Sequence, residues 1–160
     1  MTIQRKLNLT LGTILLVVLV IAVSLSTRSE RELSESMVES LLKDKATGYL
    51  DSMNMLMISG ATNNRELLRE KLLADDAITD ARMLRSPLVS QYYGPGLPHE
   101  QPADDLDRRA LQGEEILIEH QTDAGRTITW ITPIRASDNY RGTNCLGCHQ
   151  ANAGDLLGAT

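Results

Sequence analysis

Residues 114–134, EEILIEHQTDAGRTITWITPI, decide the fold. From Glu114 to His120, and again from Arg126 to Ile134, apolar and polar side chains alternate, the period of a half-buried strand. Ile116 and Ile118 fall on one face of the first run; Ile128, Trp130 and Ile134 fall on one face of the second. Asp123-Ala124-Gly125 supplies turn chemistry between them, so a β-hairpin is expected here.

Upstream the period changes. Over residues 28–59, Leu33, Met37 and Leu41 form one i, i+4 row, with Val38, Leu42, Ala46, Leu50, Met53 and Met57 beside it. Glu30, Arg31, Glu35, Glu39, Lys43 and Asp51 take the other side, which makes an amphipathic helix. Gly60 ends it. Asn63 and Glu66 have capping-box spacing and open a second helix with Leu67, Leu68, Leu72 and Leu73 on its apolar face. Residues 77–85, AITDARMLR, read as a strand. Ser86-Pro87 and YGPGLP at 93–98 break regular structure. Asp104–Gln112 is a small helix, its acids Asp104, Asp105 and Asp107 favouring the N-terminal dipole, with Gly113 after it. Residues 156–160 begin a last strand. The order of elements predicts an α+β fold, an antiparallel sheet with helices packed to one side.

The N-terminus has a different solvent. Residues 7–27 carry no charge, and Leu11–Val23, LGTILLVVLVIAV, is almost continuously apolar. About 20 such residues cross a bilayer, and Arg5 and Lys6 before them belong on the cytoplasmic side. Residues 1–27 are therefore expected to be a cytoplasmic start and transmembrane anchor, and residues 28–160 an exported domain. A cleaved signal peptide is the alternative, but only Ser24-Leu25-Ser26 approaches a cleavage site, so a retained anchor is expected. The whole chain has formal charge −5; with Arg5 and Lys6 left inside, the remaining 14 basic and 21 acidic residues give the exported part −7. That balance, with no dense Lys/Arg block, excludes nucleic acid as a partner. There is no phenylalanine and one tryptophan. A core so poor in aromatics gains from apolar bulk that the chain itself does not supply.

Cys145-Leu146-Gly147-Cys148-His149 holds the only two cysteines. C-x-x-C-H is the attachment pattern of c-type haem: two thiols reach the two vinyl groups on a porphyrin edge, and the adjacent imidazole lies under the iron as proximal ligand. A zinc site normally takes four ligands, and no second pair is spaced for it. A thioredoxin-like C-x-x-C belongs between a strand and a helix, whereas this one lies in a Gly/Asn-rich loop. One covalent haem c is the expected cofactor. Such attachment occurs on the oxidising face of bacterial membranes, where the anchor's orientation delivers the motif: the bacterial inner membrane, single-pass, with the C-terminal domain in the periplasm. The hairpin and long helix do not suit the all-helical small cytochromes c.

Several further stretches carry a resemblance: MLMISGATNNRELLREKLL (55–73), ITDARMLRS (78–86), YYGPGLP (92–98), DDLDRRALQGEE (104–115), ASDNYRGTNCLGCHQ (136–150) and LLGA (156–159). With them the chain resembles the haem-binding periplasmic sensor domain of bacterial methyl-accepting chemotaxis proteins and related sensor kinases. The resemblance implies a PAS-like sensor fold with covalent haem c, and a homodimer. In that family the last strand runs into a second membrane helix, a HAMP linker and a cytoplasmic signalling domain, so the signalling output is expected outside this chain.

Cys145 and Cys148 are the expected thioether anchors and His149 the proximal iron ligand. Methionine suits the distal position of cytochrome-like sites. Met57 is the first choice, with Met53 or Met55 as alternatives. Arg135 and Arg141 flank the attachment loop and are candidates for the haem propionates, since guanidinium matches carboxylate geometry; Arg82 and Arg85 are further candidates. His99 is expected in solvent and His120 at a strand end. No nucleophile elbow, phosphate loop or metalloprotease motif occurs, so an enzyme is not expected. The expected function is a haem c-based sensor of redox state or a diatomic gas, the input module of a chemoreceptor or sensor kinase. The alternative is a membrane-anchored electron-transfer cytochrome.

Overall fold

The computed structural model describes residues 3–122 and 125–160. Asp123 and Ala124 of the expected turn lie outside the described residues. Helix α1 runs Ile3–Ile58. By contacts the chain divides at Leu41/Leu42 into two compact units.

The first unit, Met1–Leu41, holds the apolar run, long and apolar enough to cross a membrane. Its large side chains, among them Ile14, Leu16, Val20 and Val23, are exposed. Leu33, Met37 and Leu41 remain exposed as well.

The second unit, Leu42–Thr160, mixes helices with two small antiparallel sheets. The C-terminal part of α1 buries Tyr49, Leu50, Met53 and Asn54. A single 3-10 turn, Thr62–Asn64, leads into helix α2, Arg65–Leu73. Its N-cap is Asn64, not Asn63, and no side-chain cap bond forms. The capping box does not form, and Glu66 instead lies 3.6 Å from Arg69 and 3.4 Å from His99 Nε2.

The strand expected over 77–85 shrinks to β1, Leu84–Arg85. Local polar bonds win over the ladder. Asp75 Oδ1 accepts from the Ala77 N–H, Asp80 Oδ1 from the Ala81 N–H, and Arg69 Nε donates to the Ala81 carbonyl at 2.8 Å. Ser86-Pro87, expected to break structure, instead starts helix α3, Pro87–Tyr93. Ser86 Oγ accepts from the Val89 N–H at 3.2 Å, and proline at the first helical position has no donor to lose. Helix α4, Asp105–Ala110, is capped by Asp104, whose carboxylate accepts the Asp107 N–H at 2.9 Å.

The hairpin forms as β2, Ile116–Thr122, against β3, Gly125–Ile131, antiparallel. Ile116 pairs with Ile131, and residues directly opposite share a face. The core-facing residue of the return strand is therefore Ile131, not Ile128 or Trp130. Trp130 pairs with Leu117 on the other face and donates to Glu115 at 2.9 Å. Pro133 has no N–H for the ladder, and the chain changes partner there. Strand β4, Pro133–Arg135, pairs with β5, Leu156–Ala159, which also pairs with β1. The helix and sheet content is α+β, but the strands make two sheets, β1-β5-β4 and β2-β3, where one was expected.

Gly158 sits where β5 crosses β1: a Cβ there would overlap the Leu84 carbonyl oxygen. One core cluster joins Leu84, Ala110, Ile116, Ile131 and Ala159; a second joins Ala136, Cys145 and Leu157.

Candidate functional site

The CLGCH loop is built from its polar neighbours. Tyr140 and Thr143 exchange backbone hydrogen bonds of 2.8 Å across a tight turn in which Arg141 (φ 49°) and Gly142 (φ 89°) adopt left-handed backbone. Asn144 then caps a 3-10 turn, Cys145–Gly147, its side chain accepting from the Leu146 N–H at 3.1 Å. The Cys145 N–H is tied to the Ser137 carbonyl at 2.9 Å, and the Cys145 carbonyl takes both the Cys148 and His149 N–H groups at 3.2 and 2.9 Å. This winding keeps both thiols and the imidazole together on one short coil of chain. Cys145 is buried, Cys148 exposed, and neither is in a disulfide.

Cys145, Cys148 and His149 line one cavity of about 580 Å³, within the size range of small-molecule sites, roughly 300–1,000 Å³. Met53 and Met57 of α1 line it too, as do Leu50, Ile134 and Leu157. Met55 points elsewhere and is 64% exposed. Met83, which the sequence does not single out, lines the same cavity. Its signal is present but weak: one methionine in a segment that reads as a plain strand.

Burial holds the His149 pKa below the ordinary histidine value, which favours the neutral imidazole a metal requires. Its Nδ1 is buried and has no hydrogen-bond partner among the described residues. An unsatisfied buried nitrogen costs roughly 1–3 kcal/mol. The Tyr93 ring meets the His149 ring edge-on, centroids 5.5 Å apart at 78°. The Tyr93 hydroxyl donates to the Cys148 carbonyl. Among the described residues, no group of three or more His, Cys, Asp or Glu side chains is gathered to hold a bare metal ion.

The candidate arginines each have protein partners. Arg141 pairs with Asp51 at 2.9 Å, and Arg135 donates to the Gly154 carbonyl at 3.1 Å; neither lines the cavity. Arg82 binds Asp107 through both terminal nitrogens, 2.7 and 3.1 Å. Arg85 does line the cavity, with Arg65. Glu100, 5% exposed, bridges them, to Arg65 Nε at 2.7 Å and Arg85 Nε at 2.8 Å. Burial pushes the Glu100 carboxyl up, but the Leu97 N–H and the two guanidinium groups outweigh it and hold the group below the ordinary glutamate range. His99 lies beside Glu66, and His120 is exposed on β2 opposite Thr127. Comparisons with protein families, curated proteins and solved structures found no match for this chain.

Proposed function

We propose that this chain is a haem c-based periplasmic sensor of redox state or a diatomic gas, with a PAS-like domain as the input module of a transmembrane chemoreceptor or sensor kinase. One observation carries the reading: the CLGCH motif and the methionines of α1 line the same cavity. The donor set fits a haem. Two free thiols, an imidazole whose pKa is lowered by burial and thioether side chains line a largely apolar space.

Bound there, a haem supplies an iron that changes oxidation state and takes diatomic ligands. The chain's own residues do the rest. Cys145 and Cys148 hold the porphyrin edge and His149 provides the proximal nitrogen. Tyr93 orients that imidazole from the side. Met57 is the proposed distal ligand, with Met53 and Met83 as the other thioethers of the same cavity. A thioether is a weak ligand that a change of oxidation state or a competing gas can release. Met57 lies near the C-terminal end of α1, so its release would displace that part of the helix. Helix shifts of about 1–2 Å serve other switches.

Retained in the inner membrane by the apolar run, the domain would pair with a second copy through the exposed row Leu33, Met37 and Leu41. Leaving such a row in water costs about 25 cal/mol per Å². A membrane-tethered electron-transfer cytochrome is the second reading, favoured by the exposure of Cys148 and Tyr93 at the cavity edge. Optical spectra of the full chain, oxidised, reduced and reduced under carbon monoxide, separate the two. A sensor binds carbon monoxide readily, and Met57→Ala speeds that binding. An inert six-coordinate spectrum supports electron transfer.

A further inference from the structure

We propose that Arg65 and Arg85, bridged by Glu100, form a clamp for a pair of carboxylates, the propionates of the haem. The assignment rests on the haem reading above and names the chain's own grip on the end of the group that the cysteines do not hold.

Three observations converge. Arg65 and Arg85 both line the cavity that Cys145, Cys148 and His149 line. Each is held by bonds that leave donors spare: Arg65 uses Nε on Glu100 and Nη1 on the Thr62 carbonyl, and Arg85 uses Nε on Glu100 and Nη1 on the carbonyls of Tyr93 and Gly94. Neither Nη2 has a hydrogen bond among the described residues. Two cations against one carboxylate leave the wall net positive, and a partly desolvated positive wall selects anions.

The cluster is also built to stay in place. Gly96 has φ 78°, and a Cβ there would overlap Glu100 Oε2. The Leu97 N–H donates to that same oxygen at 2.9 Å. The Gly-Pro-Gly turn thus makes room for Glu100, and Glu100 fixes the spacing of two arginines that come from α2 and β1. Arg135 and Arg141, nearer in sequence to the cysteines, are each occupied outside the cavity.

A free dicarboxylate shares the chemistry, so the test separates the two sources. In the full chain carrying Cys145→Ala and Cys148→Ala, haemin and haemin dimethyl ester are titrated by their optical bands. Succinate is titrated by calorimetry. The expected result is that haemin binds more tightly than the diester, by about tenfold for each engaged arginine. That preference falls in Arg65→Gln and Arg85→Gln and persists in Arg135→Gln and Arg141→Gln. Equal binding of haemin and diester overturns the clamp and leaves the haem reading standing. Succinate binding without any preference between the porphyrins assigns the wall to a small diffusible acid and also overturns it. Binding of neither porphyrin overturns the clamp, and the haem reading is then judged separately by covalent attachment in the unsubstituted chain.

Discussion

Tyr93 and His149 are in edge-to-face contact, ring centroids 5.5 Å apart, while the same tyrosine's hydroxyl is tied to the carbonyl of Cys148. The last residue of α3 thus touches both the Cys148-His149 peptide group and the His149 ring. The ring edge limits rotation of the imidazole, and the hydroxyl fixes the backbone that carries it.

Tyr93→Phe keeps the ring and loses only the hydroxyl; Tyr93→Leu loses both. In the haem-loaded chain, Tyr93→Leu is expected to broaden the low-spin ferric electron paramagnetic signal, because the imidazole plane is no longer fixed. Tyr93→Phe should broaden it less. Identical spectra in all three proteins would remove Tyr93 from the site.

Arg82 and Asp107 form the most buried ion pair described, with Asp107 1% exposed and also accepting the Ala103 N–H at 2.8 Å. Arg82→Met leaves that carboxylate uncompensated and is expected to cost roughly 3–5 kcal/mol in chemical denaturation. The surface pair Arg141–Asp51 is the control; Arg141→Met should cost no more than about 1 kcal/mol.

Glu100 gives the domain an acid limb. Its carboxyl lies below its ordinary range in the folded chain, so the protonated form is disfavoured there. The stabilisation is fully present above the unfolded glutamate range and is lost as pH falls through the lowered folded value. Glu100→Gln should flatten the stability–pH curve over that acid window and change nothing in its slope at neutral pH. An unchanged acid limb in the variant would contradict the assignment.

Two glycines test the packing. Gly158→Ala pushes a methyl into the Leu84 backbone carbonyl, which cannot move without breaking β1–β5 pairing, and should cost about 1–3 kcal/mol or more. Gly96→Ala meets side-chain atoms of Glu100 and Arg85 and adds a strained positive φ. It should lower stability and also weaken any preference for a porphyrin diacid, a second effect that Gly158→Ala lacks.

The long helix and the hairpin are legible because their periods run uninterrupted through α1 and β2–β3. The hairpin's buried face is misjudged at Ile131, since Ile128, Trp130 and Ile134 look like one face only if the strand continues past Pro133. The strand over 77–83 is lost to Asp75, Asp80 and Arg69, whose side chains take the backbone groups a ladder needs. Ser86-Pro87 looks the same in sequence as a break and as an N-cap with proline at the first position; only the packing of residues 87–93 distinguishes them. In the site, the motif itself is plain, while Met83 and Arg65 reach the cavity through tertiary folding that local spacing does not encode. Nearness in sequence to the cysteines favours Arg135 and Arg141, yet each meets a partner elsewhere, Gly154 and Asp51.

Covalent attachment of haem at Cys145 and Cys148 is tested most directly by denaturing electrophoresis. The full chain and its Cys145→Ala, Cys148→Ala variant are each co-expressed with a haem c maturation system, then stained for haem peroxidase activity and weighed intact. The expected result is a stained band with the mass of one haem added to the unsubstituted chain, and neither in the variant. An unstained chain at its bare polypeptide mass, or a stain that survives loss of both thiols, would contradict the account.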